Sequence, residues 1–125
     1  MKELTHYING AHVKGTSGRF ADVMNPATGE VQAKCPLASG AEMDAAVEYA
    51  QAAQPAWAAT NPQRRARVMM KFVGLLNDNM DKLAEALSRE HGKTLPDAAG
   101  DVQRGLEVVE YCIGAPELLK GDFTH

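Results

Sequence analysis

Glu90-His91-Gly92-Lys93-Thr94-Leu95-Pro96 is the stretch around which the chain is organised. An amphipathic run ends at Gly92, the usual terminal role of glycine, and a second begins behind Thr94, a capping residue followed by a proline in the first turn. Two helices meeting at a tight turn are therefore expected. Gly92-Lys93-Thr94 also matches the end of a phosphate-binding loop, whose backbone amides cradle phosphates. The full motif needs another glycine where Leu87 stands, and Ser88-Arg89-Glu90-His91 continue a helix instead of forming a flexible loop after a strand. The nucleotide-loop reading fails on both counts.

Downstream, the helix from Asp97 to Cys112 presents Val102, Leu106, Val109 and Ile113 as an apolar stripe, with Cys112 beside it as a small core residue. Upstream, Met80, Leu83, Ala84 and Leu87 define a shorter helix, and Asn77-Asp78-Asn79 separates it from one starting at Asn61-Pro62. That helix has Val68, Met69, Phe72, Leu75 and Leu76 as its apolar stripe, with the methionines as core filler. Before it, Ser39 and Glu42 have the spacing of a capping box, in which the serine caps a backbone amide and the glutamate reaches back. Met43, Ala46, Val47, Ala50 and Ala53 then share one face, and Pro55 and Trp57 mark the end of the helix.

The first part of the chain reads as strands. Tyr7-Ile8 and His12-Val13 flank Asn9-Gly10, a dipeptide suited to a tight hairpin turn. Phe20, Val23 and Met24 lead into the turn Asn25-Pro26-Ala27-Thr28-Gly29, and Glu30 to Pro36 alternates polar and apolar residues at the strand period, with Cys35 half-buried. The expected fold class is thus α+β: antiparallel hairpin strands at the amino terminus, then about four helices.

Composition bounds the function. At 125 residues, 45% hydrophobic and 23% charged, the chain has the size and make-up of one ordinary domain. A net charge of -3 gives no electrostatic ground for nucleic acid, and the local cluster Arg64, Arg65 and Arg67 reads as a solvated helix face. No stretch approaches the roughly 18 apolar residues of a membrane helix, and Met1 to His6 has no apolar signal core. Two distant cysteines, Cys35 and Cys112, suit a reducing compartment, so a cytoplasmic location with neither nucleic acid nor membrane as partner is expected. The histidines His6, His12, His91 and His125 are scattered and imply no nucleophile–base pairing or metal site.

Arg104 is the one residue that invites a functional reading. It lies three residues from both Asp101 and Glu107, so a solvated ion-pair ladder accounts for it. Yet Gly100 and Gly105 flank it inside a helix, where each costs about 1 kcal/mol relative to alanine. Glycines kept in such places commonly admit another backbone or a ligand. An arginine beside such a gap can offer a planar fork to a carboxylate.

Asn25-Pro26-Ala27-Thr28-Gly29-Glu30, Ala56-Trp57 followed by Arg64, and Glu90-His91-Gly92-Lys93-Thr94 together resemble landmarks of the aldehyde dehydrogenase family. Ala41-Glu42-Met43-Asp44-Ala45-Ala46 and Gly100-Asp101-Val102-Gln103-Arg104-Gly105-Leu106-Glu107-Val108-Val109-Glu110 resemble its CoA-acylating branch, which acts on methylmalonate semialdehyde. The resemblance covers nearly the whole chain as the amino-terminal part of an NAD-binding domain in an α/β parent. It implies an NAD-dependent enzyme in which a cysteine thiolate attacks the aldehyde and CoA accepts the acyl group. It further implies a small-molecule semialdehyde substrate and a homo-oligomer, a tetramer in full-length form. Arg104 becomes the candidate to bind the substrate carboxylate. The chain departs from the family by ending before the nucleotide-binding strands, the oligomerisation hairpin and the catalytic cysteine, which neither Cys35 nor Cys112 matches. Alone it is expected to be inactive, with no catalytic, cofactor-binding or metal-binding residue of its own, and to expose apolar helix faces that lead to self-association. A hydrolytic aldehyde dehydrogenase and a stand-alone helical binding module are the alternatives.

Overall fold

Asn9 and Gly10 adopt φ values of 51° and 75°, the paired positive angles that a two-residue hairpin turn demands. A computed structural model describes residues 2–122, and in it this turn joins β2 (His6–Ile8) to β3 (Ala11–Val13) in antiparallel register, with Tyr7 opposite His12. The Tyr7 and His12 rings meet edge to face with centroids 5.2 Å apart. A second sheet has the strand order β1-β5-β4. Here β4 (Phe20–Met24) runs antiparallel to β5 (Val31–Pro36), and β1 (Lys2–Glu3) runs parallel to β5. The turn between β4 and β5 closes on Asn25, whose N–H donates to the Glu30 carbonyl at 2.8 Å and whose Oδ1 accepts from the Ala27 N–H at 2.9 Å. Strand β1 was not expected, because two charged residues carry no alternation; backbone bonding holds it, including the Leu4 N–H on the Lys34 carbonyl at 2.9 Å.

The chain divides into two units, residues 1–59 and 60–125. In the first, the strands precede α1 (Gly40–Ala59). Its capping box forms as expected: the Ser39 N–H donates to Glu42 Oε2 at 2.8 Å, and Ser39 Oγ accepts from the Glu42 N–H at 3.3 Å. The helix does not stop at Pro55 and Trp57 but runs on to Ala59. Proline removes the bond to the carbonyl four residues earlier and crowds it, yet with Pro55 inside it the helix continues for four more residues.

The second unit is helical: α2 (Pro62–Asp78), α3 (Met80–His91), α4 (Leu95–Ile113) and the single turn α5 (Ala115–Leu118). Asn61 caps α2 by accepting the Gln63 N–H at 2.9 Å. Between α2 and α3, Asn77 and Asn79 donate to the Val73 and Leu75 carbonyls at 3.0 and 2.8 Å, which ends one helix and frees the next to change direction. Both α2 and α3 pack on α4. Ala66, Ala84, Ala98 and Leu106 are the buried side chains of this unit, flanked by half-buried Met69, Leu83, Val102 and Val109.

Two expectations about faces are corrected. On α2 the inward residues are Ala66, Met69, Val73 and Leu76, whereas Val68, Phe72 and Leu75 point outward. The helix carries two apolar stripes a fraction of a turn apart, and periodicity alone cannot choose between them. Cys112 is exposed and does not join the core, because the stripe of Val102, Leu106, Val109 and Ile113 turns inward and leaves Val108, Tyr111 and Cys112 outside it. Cys35 is half-buried, as expected. Among the described residues no helix is long and apolar enough to cross a membrane. His125, the last of the scattered histidines, and the rest of the tail from Phe123 lie outside the described residues.

Candidate functional site

The turn between α3 and α4 is built from side chains that bond within it. Gly92 closes α3 at φ 85°, a left-handed conformation that a side chain would resist, and its N–H donates to the Ser88 carbonyl at 2.8 Å. Ser88 Oγ donates to the Lys93 carbonyl at 2.7 Å. Thr94 caps α4 by accepting the Asp97 N–H at 3.4 Å, and its hydroxyl donates to Asp97 Oδ2 at 2.9 Å. The Gly92 N–H and the Ser88 and Thr94 hydroxyls are thus engaged within the turn, which is a helix terminus and cap.

From that cap, α4 carries Asp97, Asp101 and Arg104 on one side at helical spacing. Arg104 donates through Nη1 to Asp101 Oδ1 at 2.9 Å. Asp101 Oδ2 is taken by Lys93 Nζ, which reaches back from the turn. The Asp101 carboxyl lies below the ordinary 3.8, first through the Lys93 hydrogen bond and then through the charges of Lys93, Arg104 and His91. Arg104 is 78% exposed, with Asp101 its one partner among the described residues. The expected ladder is only half formed, since Glu107 accepts from Gln103 Nε2 at 3.2 Å and not from Arg104.

Gly100 and Gly105 do not serve a close approach within the chain. A Cβ built at either would meet nothing within 4 Å among the described residues, so both positions border open space. Chemically, the site offers an exposed guanidinium on a rigid helix, steadied through one nitrogen and with its other donors directed outward. The tie from Lys93 to Asp101 was missed in the sequence, where Lys93 read only as part of the glycine–lysine–threonine signature. Its signal was there: a capping Thr94 places Asp101 two turns into the helix on the side facing Lys93.

In the first unit, an apolar cleft of about 340 Å³ between the hairpin and α1 is lined by Ile8, Val13, Ala45, Ala46 and Tyr49, with His6 and Glu42 at its edge. The Glu42 oxygens are already occupied by Ser39 and Thr16, whereas His6 Nε2, buried and without a hydrogen-bond partner among the described residues, stays unengaged. Among the described residues no three histidine, cysteine or acidic side chains gather as metal ligands. No glycine-rich loop follows a strand among the described residues, and the Asp97 N–H at the α4 cap is taken by Thr94.

The aldehyde dehydrogenase family model matches residues 12–125. Malonate-semialdehyde dehydrogenase of Pseudomonas aeruginosa is 49% identical over 124 residues, 99% of this chain and 25% of that protein. The acylating, mitochondrial methylmalonate-semialdehyde dehydrogenase of Arabidopsis thaliana is 48% identical over 116 residues, 93% of this chain and 19% of that protein. A crystal structure from Sinorhizobium meliloti 1021, provisionally described as a methylmalonate-semialdehyde dehydrogenase and complexed with NAD, is 66% identical with a TM-score of 0.95. It is matched over 100% of this chain and 26% of its own. The chain thus spans about a quarter of the length of these relatives, and the match extends from β3 through the cap at Thr94 to Arg104 and beyond. With an α+β arrangement shared at that TM-score and a family match over all but the first eleven residues, this chain belongs to the aldehyde dehydrogenase family.

Proposed function

We propose that the full-length enzyme containing this segment carries out the NAD-dependent, CoA-acylating oxidation of methylmalonate or malonate semialdehyde. Methylmalonate semialdehyde, CoA and NAD would give propionyl-CoA, CO2 and NADH; malonate semialdehyde would give acetyl-CoA in the same balance. The observation that carries the reading is chain-wide identity to relatives named for these two substrates, one of them named as acylating. When bound, NAD would supply a hydride acceptor that no side chain provides, through parts of the enzyme outside these 125 residues. The segment itself would be inactive.

Within that enzyme, Arg104 would bind the carboxylate that distinguishes a semialdehyde of this kind from a plain aldehyde. A guanidinium with free donors matches a carboxylate in two parallel hydrogen bonds. Its place on α4, after a capped first turn, gives it a fixed origin. The enzyme would act as a homo-oligomer, with no nucleic acid or membrane among its partners.

The test is a rate measurement with NAD and methylmalonate semialdehyde, with and without CoA. Acyl-CoA formation that requires CoA supports the proposal, whereas a rate indifferent to CoA, with free acid as product, would establish the hydrolytic alternative. In the same enzyme, Arg104→Leu should raise KM for the carboxylated aldehyde by about tenfold or more while moving KM for propanal far less. Equal effects on both aldehydes would reject the carboxylate role.

A further inference from the structure

Asp101 stands between two cations from different places in the fold. Arg104 comes from one turn further along α4, and Lys93 from the turn before it. The three side chains grade outward: Lys93 is 21% exposed, Asp101 38% and Arg104 78%. Lys93 is thus the sheltered member, anchored where Ser88 holds its carbonyl, and Arg104 is the presented one. The two carboxylate oxygens are divided between them, Oδ2 to Lys93 and Oδ1 to Arg104.

The division has an electrostatic consequence. An Asp101–Arg104 pair alone would be neutral, and an anion approaching the guanidinium would meet the aspartate charge at nearly the same distance. Lys93 turns the set into two positive charges and one negative, so one positive charge remains for an incoming anion. Because Lys93 engages the inner oxygen, it achieves this without competing for the outer face of Arg104.

We infer that Lys93 is a positioning residue for recognition of a carboxylated substrate: it neutralises Asp101 so that Arg104 meets the substrate carboxylate with net positive charge. The inference rests on the Arg104 reading above and adds a residue that does not itself touch substrate. A strut that merely ties the turn to α4 is the competing account, and the two accounts separate in a double substitution.

The experiment uses the full-length enzyme and reads the ratio of kcat/KM for methylmalonate semialdehyde to that for propanal. Lys93→Met should lower the ratio about fivefold, by leaving Asp101 uncompensated, and Lys93→Arg should restore it to within about twofold. Lys93→Met combined with Asp101→Asn should recover most of the ratio, because the unbalanced anion is gone. A double variant no better than Lys93→Met alone is the strut outcome and overturns the inference. Should Lys93→Met fail to fold, Lys93→Gln carries the same comparison, since it keeps a donor and removes the charge. If Arg104→Leu lowers the ratio but the Lys93 variants do not, only the role of Lys93 falls; if Arg104→Leu leaves it unchanged, both readings fall.

Discussion

Glu42 accepts from the backbone N–H of Ser39 at 2.8 Å, from that of Thr16 at 2.7 Å and from the Ser39 hydroxyl at 2.9 Å. Each donor favours the ionised carboxylate, and together, in that order of importance, they hold its pKa at about 2 against the ordinary 4.5. The folded value lies below the unfolded one, so the stabilisation is fully present above pH 4.5 and is lost as pH falls toward 2. Carboxyl chemical shifts followed by NMR should therefore give Glu42 a midpoint near 2, and Glu42→Gln should flatten the acid limb of the stability curve below pH 4.5. A midpoint near 4.5 would show that the bonds do not form in solution. Half of this arrangement was legible in the sequence, because Ser39 and Glu42 stand at capping-box spacing. The other half was not, because Thr16 lies 26 residues away and only the fold brings it near.

At the scale of elements, α4 carries Gly100 and Gly105 in its interior, where each forgoes about 0.8–1.0 kcal/mol of helix propensity relative to alanine. Neither has a neighbour within 4 Å that a Cβ would strike. Gly100→Ala should therefore stabilise the 125-residue chain by about 1 kcal/mol in urea unfolding followed by helical circular dichroism. The same substitution in the full-length enzyme is the sharper comparison. A loss there, against a gain here, would mean that another backbone or a ligand occupies the open space. Helix termini were legible because Asn61, Thr94 and Gly92 act through local hydrogen bonds and dihedral angles. The outward turn of Phe72 and Leu75 was not, since it depends on which side of α2 meets α4. The length of α1 was misjudged because a proline can kink a helix as well as break it, and Pro55 sits inside α1 with the helix running on to Ala59. Arg104 could be singled out from its glycines, whereas the tie of Lys93 to Asp101 was passed over because Lys93 was read only within the glycine–lysine–threonine signature.

For the molecule as a whole, the side chains withdrawn from water are small. Ala33, Ala66, Ala84 and Ala98 with Leu106 make up the buried hydrophobic set among the described residues. Larger apolar groups remain in contact with solvent, among them Phe72 at 44% and Leu75 at 61% on the outer side of α2, and Val108 and Tyr111 on α4. Burying such a side chain entirely is worth about 1.5–3 kcal/mol, and completing the burial of one already half covered roughly half of that, so a few together can offset part of the entropy lost on association. The 125-residue chain should therefore self-associate, and sedimentation velocity should show its weight-average mass rising above the monomer as concentration increases. Phe72→Glu together with Leu75→Glu adds charge to the outer stripe without touching inward-facing Met69, Val73 or Leu76, and should shift the distribution back toward monomer. High salt separates this apolar association from one driven by surface charge: it should leave the first intact and weaken the second. A monomer at every concentration would mean that the exposed stripes are too dispersed to act as one patch, and the double substitution would then change nothing.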